Sequence, residues 1–220
     1  MLLLSRGLGR MRNKVAAVFV LISVIISSVL CCGCSGSGDS KEVPKIDVNG
    51  PVILGRFQDE DIEWIVLDVQ DGKALLLSKY CIDSRVFNSR ERDISWKLCI
   101  LRTWLNSDFY KSAFTSGEKK IILNTELPED GVTDRIFILS GEEVMKYLPD
   151  PDYVYVAYPT KYAMERGVVI NIDNSCGWWV RTSGLVDTRA LVFGSGQGEY
   201  VPVNKDCYGV RPAMWVSLEN

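Results

Sequence analysis

Hydrophobic runs near both ends of the folded part have the length and composition of short β-strands. The first three such runs lie at 52–57, 62–69 and 73–78. Asp71-Gly72, between the second and third runs, is a typical hairpin turn and predicts antiparallel pairing. Four more runs in the last quarter are predicted as strands, at 176–184, 190–193, 199–203 and 210–216.

The middle of the chain has helical periodicity instead. Apolar residues recur there at intervals of three and four, which predicts one buried stripe on a helix capped by Ser95. The residues of this stripe are Leu98, Leu101, Leu105 and Phe109. Capping-box patterns at 115–118 and 140–143 predict two more helices, the second after a strand at 136–139, and Thr160 is predicted to cap a short turn. Strands, then helices, then strands indicate an α+β domain, with two or three helices beside short antiparallel strands.

Residues 1–34 have the pattern of an export signal. Residues 15–30 are uncharged and mostly apolar, and basic residues precede them. A helix of this length spans about 24 Å, less than the hydrocarbon core of a membrane, which is about 30 Å thick. The small residues that follow favour a bacterial lipoprotein signal, with Cys34 as the lipidated residue and Met11 as a possible true start. The alternative is an uncleaved anchor helix, and either interpretation places the chain on the outer face of a cell membrane.

Residues 35–51 are predicted to be a flexible linker, because Ser, Gly and other polar residues dominate its first half. The folded part is then a single domain over 52–220.

Composition excludes several functions. Without residues 1–34, 21 basic and 28 acidic residues remain, and this balance argues against nucleic acid as a partner. The chain has no histidine, which excludes Ser-His-Asp and Cys-His catalysis and histidine-based zinc sites. The four domain cysteines contain no CxxC pair, so no metal site and no cofactor are expected.

Five segments carry a resemblance to a known family. They are LLLSKY at 75–80, SWKLCILRTWLN at 95–106, DRIFILS at 134–140, WWVRTSG at 178–184 and GVRPAMW at 209–215. In this order they resemble domain of unknown function 6273, a bacterial family frequent in surface proteins. That family in turn is similar to the C-type lectin-like fold, which formylglycine-generating enzymes also use. The resemblance therefore implies a C-type lectin-like domain but no activity.

The cysteines of an exported domain are candidates for disulfides. Cys81, Cys99, Cys176 and Cys207 allow three sets of pairs. We favour Cys81–Cys99 and Cys176–Cys207, since each joins segments close in the chain and the second resembles a bond common in C-type lectin-like domains. Four buried free thiols are the alternative.

Five residues are candidates for ligand binding. On a strand, Trp178 and Trp179 point to opposite faces, so one of them could be exposed and stack on a sugar or peptide; the alternative is that both are packed. Arg181 and Arg211 could bind an anion or pair with a carboxylate in the core. Tyr200 follows the Gly-rich turn at 194–198.

We therefore expect a lipid-anchored extracellular binding module whose ligand is a glycan, a peptide or a protein. An oxidase of the formylglycine-generating kind is one alternative, although the closely spaced cysteine pair that such an enzyme needs is missing. A purely structural envelope protein is the other.

Overall fold

The computed structural model describes residues 41–148, 156–183, 189–194 and 198–219, which belong to one compact unit. Its strands in chain order are β1 (Val52–Phe57), β2 (Glu60–Gln70), β3 (Lys73–Ser78), β4 (Tyr80–Cys81), β5 (Asp83–Ser84), β6 (Thr125–Leu127), β7 (Val132–Asp134), β8 (Tyr158–Pro159), β9 (Trp178–Ser183), β10 (Arg189–Phe193), β11 (Gly198–Pro202), β12 (Gly209–Val210) and β13 (Ala213–Ser217). Its α-helices are α1 (Ile100–Trp104), α2 (Tyr110–Ala113), α3 (Gly141–Tyr147) and α4 (Lys161–Glu165). Strands and short helices together confirm the α+β class.

The two ends of the domain meet in one antiparallel sheet of order β1-β2-β3-β13. The three predicted N-terminal strands are confirmed, and the last strand returns to pair with β3, placing Ala213 opposite Leu77. Because β3 lies inside the sheet and is covered on both faces, Ala74 through Ser78 are all buried. The pairing of β1 with β2 is irregular between Ile53 and Arg56, where Gly55 has φ +76°.

The predicted helical stripe is confirmed in three of its four positions. An unbroken helical segment runs from α1 through a wider π-helical turn (Leu105–Phe109) into α2. Leu101, Leu105 and Phe109 are buried in the core. Leu98 is 67% exposed, because it belongs to a separate 3-10 turn, Trp96–Leu98, where the helical period has not yet begun. The helix is capped by the Cys99 sulfur, which accepts a hydrogen bond from the Arg102 backbone, and not by Ser95.

Both capping boxes are present, but only the second one opens an α-helix. Ser140 and Glu143 exchange the expected hydrogen bonds at the start of α3. Thr115 and Glu118 make the same exchange, yet only a 3-10 turn follows, at Glu118–Lys120. Thr160 caps α4 as predicted, by accepting from the Ala163 backbone.

A second sheet, of order β11-β10-β9-β12-β5, carries most of the C-terminal half. Its pairs are antiparallel except β12 with β9, which run parallel. The predicted strand at 136–139 is wrong: that segment makes one isolated bridge, from Phe137 to Ala213, and its four side chains are buried. The predicted strand over 210–216 is interrupted at Arg211-Pro212, so β12 and β13 pair in different sheets.

Part of the stretch predicted as a linker contacts the domain. Ile46 and Val48 are partly buried against the core. The backbone of Glu42 also crosses Gly117 so closely that a Cβ there would lie 1.7 Å from the Glu42 carbonyl oxygen. The signal and Cys34 lie outside the described residues. Among the helices of the described ranges, none is sufficiently long and apolar to traverse a bilayer.

Candidate binding cleft

The Arg181 side chain is the centre of a buried ion cluster on β9. Only 4% of this side chain is exposed, although its guanidinium is charged. Its Nε donates to Asp130 at 2.8 Å, its Nη2 donates to Glu143 at 3.0 Å, and its Nη1 donates to Glu143 and to the Ile138 carbonyl. Glu129 lies 3.9 Å from the same guanidinium. Burial acts to lower the pKa of Arg181, but hydrogen bonds and charge from Glu143 and Asp130 outweigh it and raise that pKa.

The capping box of α3 fixes the position of this cluster. Glu143 accepts from the Ser140 backbone N–H at 2.9 Å and also binds Arg181, so a single carboxylate links the helix start to β9. The Thr182 hydroxyl accepts from the Gly141 backbone N–H at 2.8 Å, which adds a second link between the same two elements. The ionic groups are therefore held by regular structure and not by a loose loop.

An open cleft of about 440 Å³ lies beside the cluster. Its lining combines the Arg181 cluster with an apolar wall from β10, β11 and α3. The lining residues are Glu129, Asp130, Ser140, Gly141, Glu142, Met145, Arg181, Thr182, Leu191, Phe193 and Tyr200. Two residues predicted from the sequence, Arg181 and Tyr200, thus line one cavity. Tyr200 is 39% exposed, which leaves part of its ring accessible to a ligand.

A second open groove, of about 460 Å³, lies between α1 and β5 and contains none of the predicted ligand-binding residues. Arg85 stacks on Trp104 there, with 3.9 Å from the guanidinium carbon to the ring centroid. Asp83, fully buried, holds Arg85 at 2.6 Å and lies 3.6 Å from Arg166. The Arg85 guanidinium therefore already occupies one face of the Trp104 ring.

Comparison with known proteins assigns a family. The sequence profile of the family described as Domain of unknown function (DUF6273) matches residues 71–218, more than half of the chain. The chain belongs to the DUF6273 family. No curated protein matches the chain, and no solved structure does. All residues that line the two cavities fall within the DUF6273 match, whereas β1 and β2 precede it.

The other sequence candidates lie in the core of this DUF6273 domain. Trp178 and Trp179 are both 0% exposed, so the packed alternative describes them, and neither ring is open to a ligand. Trp179 donates its indole N–H to the Arg85 carbonyl at 2.7 Å. Arg211 is buried against the Trp178 ring, 5.1 Å from its centroid, and its Nε donates to the Ser78 carbonyl at 2.8 Å. These three side chains therefore contribute to strand packing and are not accessible to a ligand.

The four domain cysteines have free thiols. The favoured pairs, Cys81–Cys99 and Cys176–Cys207, are not formed in this structure. The Cys99 sulfur accepts from the Arg102 backbone N–H at 3.4 Å. Burial, with a contribution from the neighbouring Cys176 side chain, raises the pKa of Cys81. Cys81, Cys99 and Cys176 are fully buried.

Proposed function

We propose that this chain is a lipoprotein held on the outer face of a bacterial membrane by Cys34, and that its domain binds a ligand in the Arg181–Tyr200 cleft. The observation that carries the binding proposal is the cleft itself. It is open to solvent, it places fixed charges beside an accessible aromatic ring, and regular elements hold both. Such a combination of apolar wall and few oriented polar groups is typical of binding sites.

The charges favour a ligand with a cationic group. Three carboxylates, those of Glu129, Asp130 and Glu143, form ion pairs with the one guanidinium of Arg181. A fourth carboxylate, that of Glu142, lines the same cleft. This leaves an excess of three negative charges beside the apolar wall. A basic peptide with an apolar neighbour to its Lys or Arg residue fits both features, so among glycan, peptide and protein we favour a peptide segment.

We also propose a C-type lectin-like architecture for the domain. Its support is the pairing of the two segments that suggested it, since β9 carries the Trp-Trp pair and runs parallel to β12 of the closing segment. The return of the last strand to the first sheet is consistent with it.

Binding is tested with the domain, residues 41–220, and a fluorescent library of short peptides that vary in Lys, Arg and aromatic content. The double variant Glu129→Gln/Glu142→Gln removes two charges that lie outside the core. We expect it to lower the affinity for the best-binding peptide roughly five- to tenfold. Tyr200→Ala should weaken it by about tenfold through loss of ring contact. The matched control is Asp108→Asn, an exposed carboxylate in the other groove, which should leave affinity unchanged.

Two results would refute the proposal. One is a library in which no peptide shows saturable, salt-sensitive binding. The other is binding that survives both cleft variants and is lost in Asp108→Asn, which would move the site to the second groove.

The anchor is tested separately in a bacterial cell that processes lipoproteins. Full-length chain should enter the membrane fraction and gain the mass of a diacylglyceryl group, and Cys34→Ala should gain none. An unmodified Cys34 in the membrane fraction would instead support the retained anchor helix.

A further inference from the structure

Two of the four cysteines converge on the same short segment, residues 157–160. Cys81 ends β4, and its carbonyl accepts from the Thr160 backbone N–H at 2.9 Å. Cys176 precedes β9, and its backbone N–H donates to the Ala157 carbonyl at 2.8 Å. These hydrogen bonds bring together two cysteines that are 95 positions apart in the chain.

Gly209 gives the Cys81 thiol its space. A Cβ at this position would lie 2.6 Å from the Cys81 sulfur and 3.3 Å from the carbonyl oxygen of Gly177, the residue after Cys176. The Gly209 backbone N–H donates to that same carbonyl at 2.7 Å. Since Gly209 has no side chain, the Cys81 thiol packs directly over β12, and Gly209 of this strand pairs with Trp178, two positions after Cys176. After burial, the Cys176 side chain is the next largest contribution to the raised pKa of Cys81, as expected of adjacent thiols.

We propose that Cys81 and Cys176 are the disulfide-forming pair of this domain. The oxidant is an external disulfide, either of a small thiol such as glutathione or of a thiol–disulfide oxidoreductase. One cysteine thiolate attacks a sulfur of that disulfide and releases one oxidant thiolate, which leaves a mixed disulfide. The second cysteine thiolate attacks the mixed disulfide, the Cys81–Cys176 bond forms, and the second oxidant thiolate leaves.

The burial of both thiols places this chemistry at the folding stage. Both side chains are fully buried in the finished fold, so the oxidant reaches them before the core closes. In the finished fold, burial and the neighbouring Cys176 raise the pKa of Cys81, and the buried guanidinium of Arg211 only partly offsets this, so thiolate attack is disfavoured once the core has closed. The bond would close a loop of roughly one hundred residues, a length at which cross-links restrict the unfolded chain strongly. The inference does not depend on the cleft or on its ligand.

Peptide mapping of the full chain, solubilised in detergent, tests the pair. One sample is incubated folded with oxidised and reduced glutathione, and a second is refolded from denaturant in the same buffer. Remaining thiols are then alkylated with N-ethylmaleimide in denaturant, and the chain is cut with trypsin. Cleavage after Lys79, Arg85, Arg166 and Arg181 releases Cys81 in peptide 80–85 and Cys176 in peptide 167–181.

The expected product of the refolded sample is a linked pair of these two peptides that reductant separates, with Cys99 and Cys207 both alkylated. A link from peptide 80–85 to the Cys99 peptide, or from 167–181 to the Cys207 peptide, would overturn the proposal. Alkylation of all four domain cysteines in both samples would overturn it as well.

Thermal unfolding provides a second readout. Reduction of the oxidised protein should lower its melting temperature by roughly 10 °C. The Cys99→Ala variant should keep this shift, and Cys176→Ala should lose it. A shift of equal size in Cys176→Ala would contradict the assignment, and if this variant fails to fold, the peptide map of the unaltered chain still decides.

Discussion

Removal of the Cys99 thiol should make the stability of the fold less sensitive to alkaline pH. Burial in the core, offset in part by hydrogen bonds from the Arg102 and Leu101 backbones, raises the pKa of Cys99 to about 12. In the unfolded chain the same thiol loses its proton near its ordinary pKa of 9.0. Between these two values, the unfolded state binds fewer protons than the folded state, so the free energy of unfolding falls as pH rises.

The size of the effect follows from the two pKa values. Each pH unit between them removes about 1.4 kcal/mol of stability, and the loss begins near the lower value. From pH 8 to about pH 10.5, the contribution of Cys99 to the loss is about 2 kcal/mol. Stability contributed by the neutral thiol is thus fully present below pH 8 and decreases through the alkaline range.

The assay is urea unfolding of the reduced domain, followed by tryptophan fluorescence at several pH values from about 8 to about 10.5. Cys99→Ala lowers stability at every pH, because it removes a buried side chain and the cap of α1. The informative quantity is the change in the free energy of unfolding between pH 8 and about pH 10.5. Over this range the unaltered domain should lose about 2 kcal/mol more than Cys99→Ala. Cys207→Ala, made at a half-buried thiol, measures any general effect of cysteine removal. Parallel pH profiles for Cys99→Ala and the unaltered domain would refute the reasoning.

Two further predictions concern buried contacts, and urea unfolding at neutral pH measures both. Asp134 is a buried carboxylate that accepts hydrogen bonds from the Trp96 indole and from Arg102. Asp134→Asn should therefore lower the free energy of unfolding by about 3 kcal/mol. The control, Asp61→Asn, alters an exposed ion pair and should lower it by less than about 1 kcal/mol. Equal losses would contradict the assigned role of burial. Gly55→Ala should cost about 3 kcal/mol, because it combines φ +76° with a Cβ 2.6 Å from a buried phenyl ring. Gly131→Ala shares the positive φ but has nothing within 4 Å, so it should cost only about 1–2 kcal/mol.

Long elements with strong patterns were predictable because their signals are local. The strands at 52–57 and 73–78 follow from β-forming residues and the Asp71-Gly72 turn, and the structure has them with the same bounds. The capping residues Ser140 and Thr160 were recognisable because a cap satisfies backbone groups within three residues of itself. The two-residue strands β4, β5, β8 and β12 carry no such signal, since distant partners alone make them strands.

The candidate cleft was only partly predictable. The sequence identified Arg181 and Tyr200, but it could not identify Asp130 and Glu143 as partners of Arg181, because they lie 51 and 38 positions away. Trp178 and Trp179 were predicted as candidate binding residues from their side-chain type. Their burial depends on what covers each face of β9, and strand alternation alone does not specify that.

The sequence by itself determined the class of the domain, its family, most of its long elements and the absence of histidine chemistry, because these depend on composition and short-range pattern. Tertiary structure decided which charged residues meet, which aromatic rings are closed to solvent and which cysteines are neighbours. These properties arise when the last strand returns to β3 and when β12 lies between β9 and β5. Contacts of that kind join residues tens of positions apart, so they exist only once the sheets have formed.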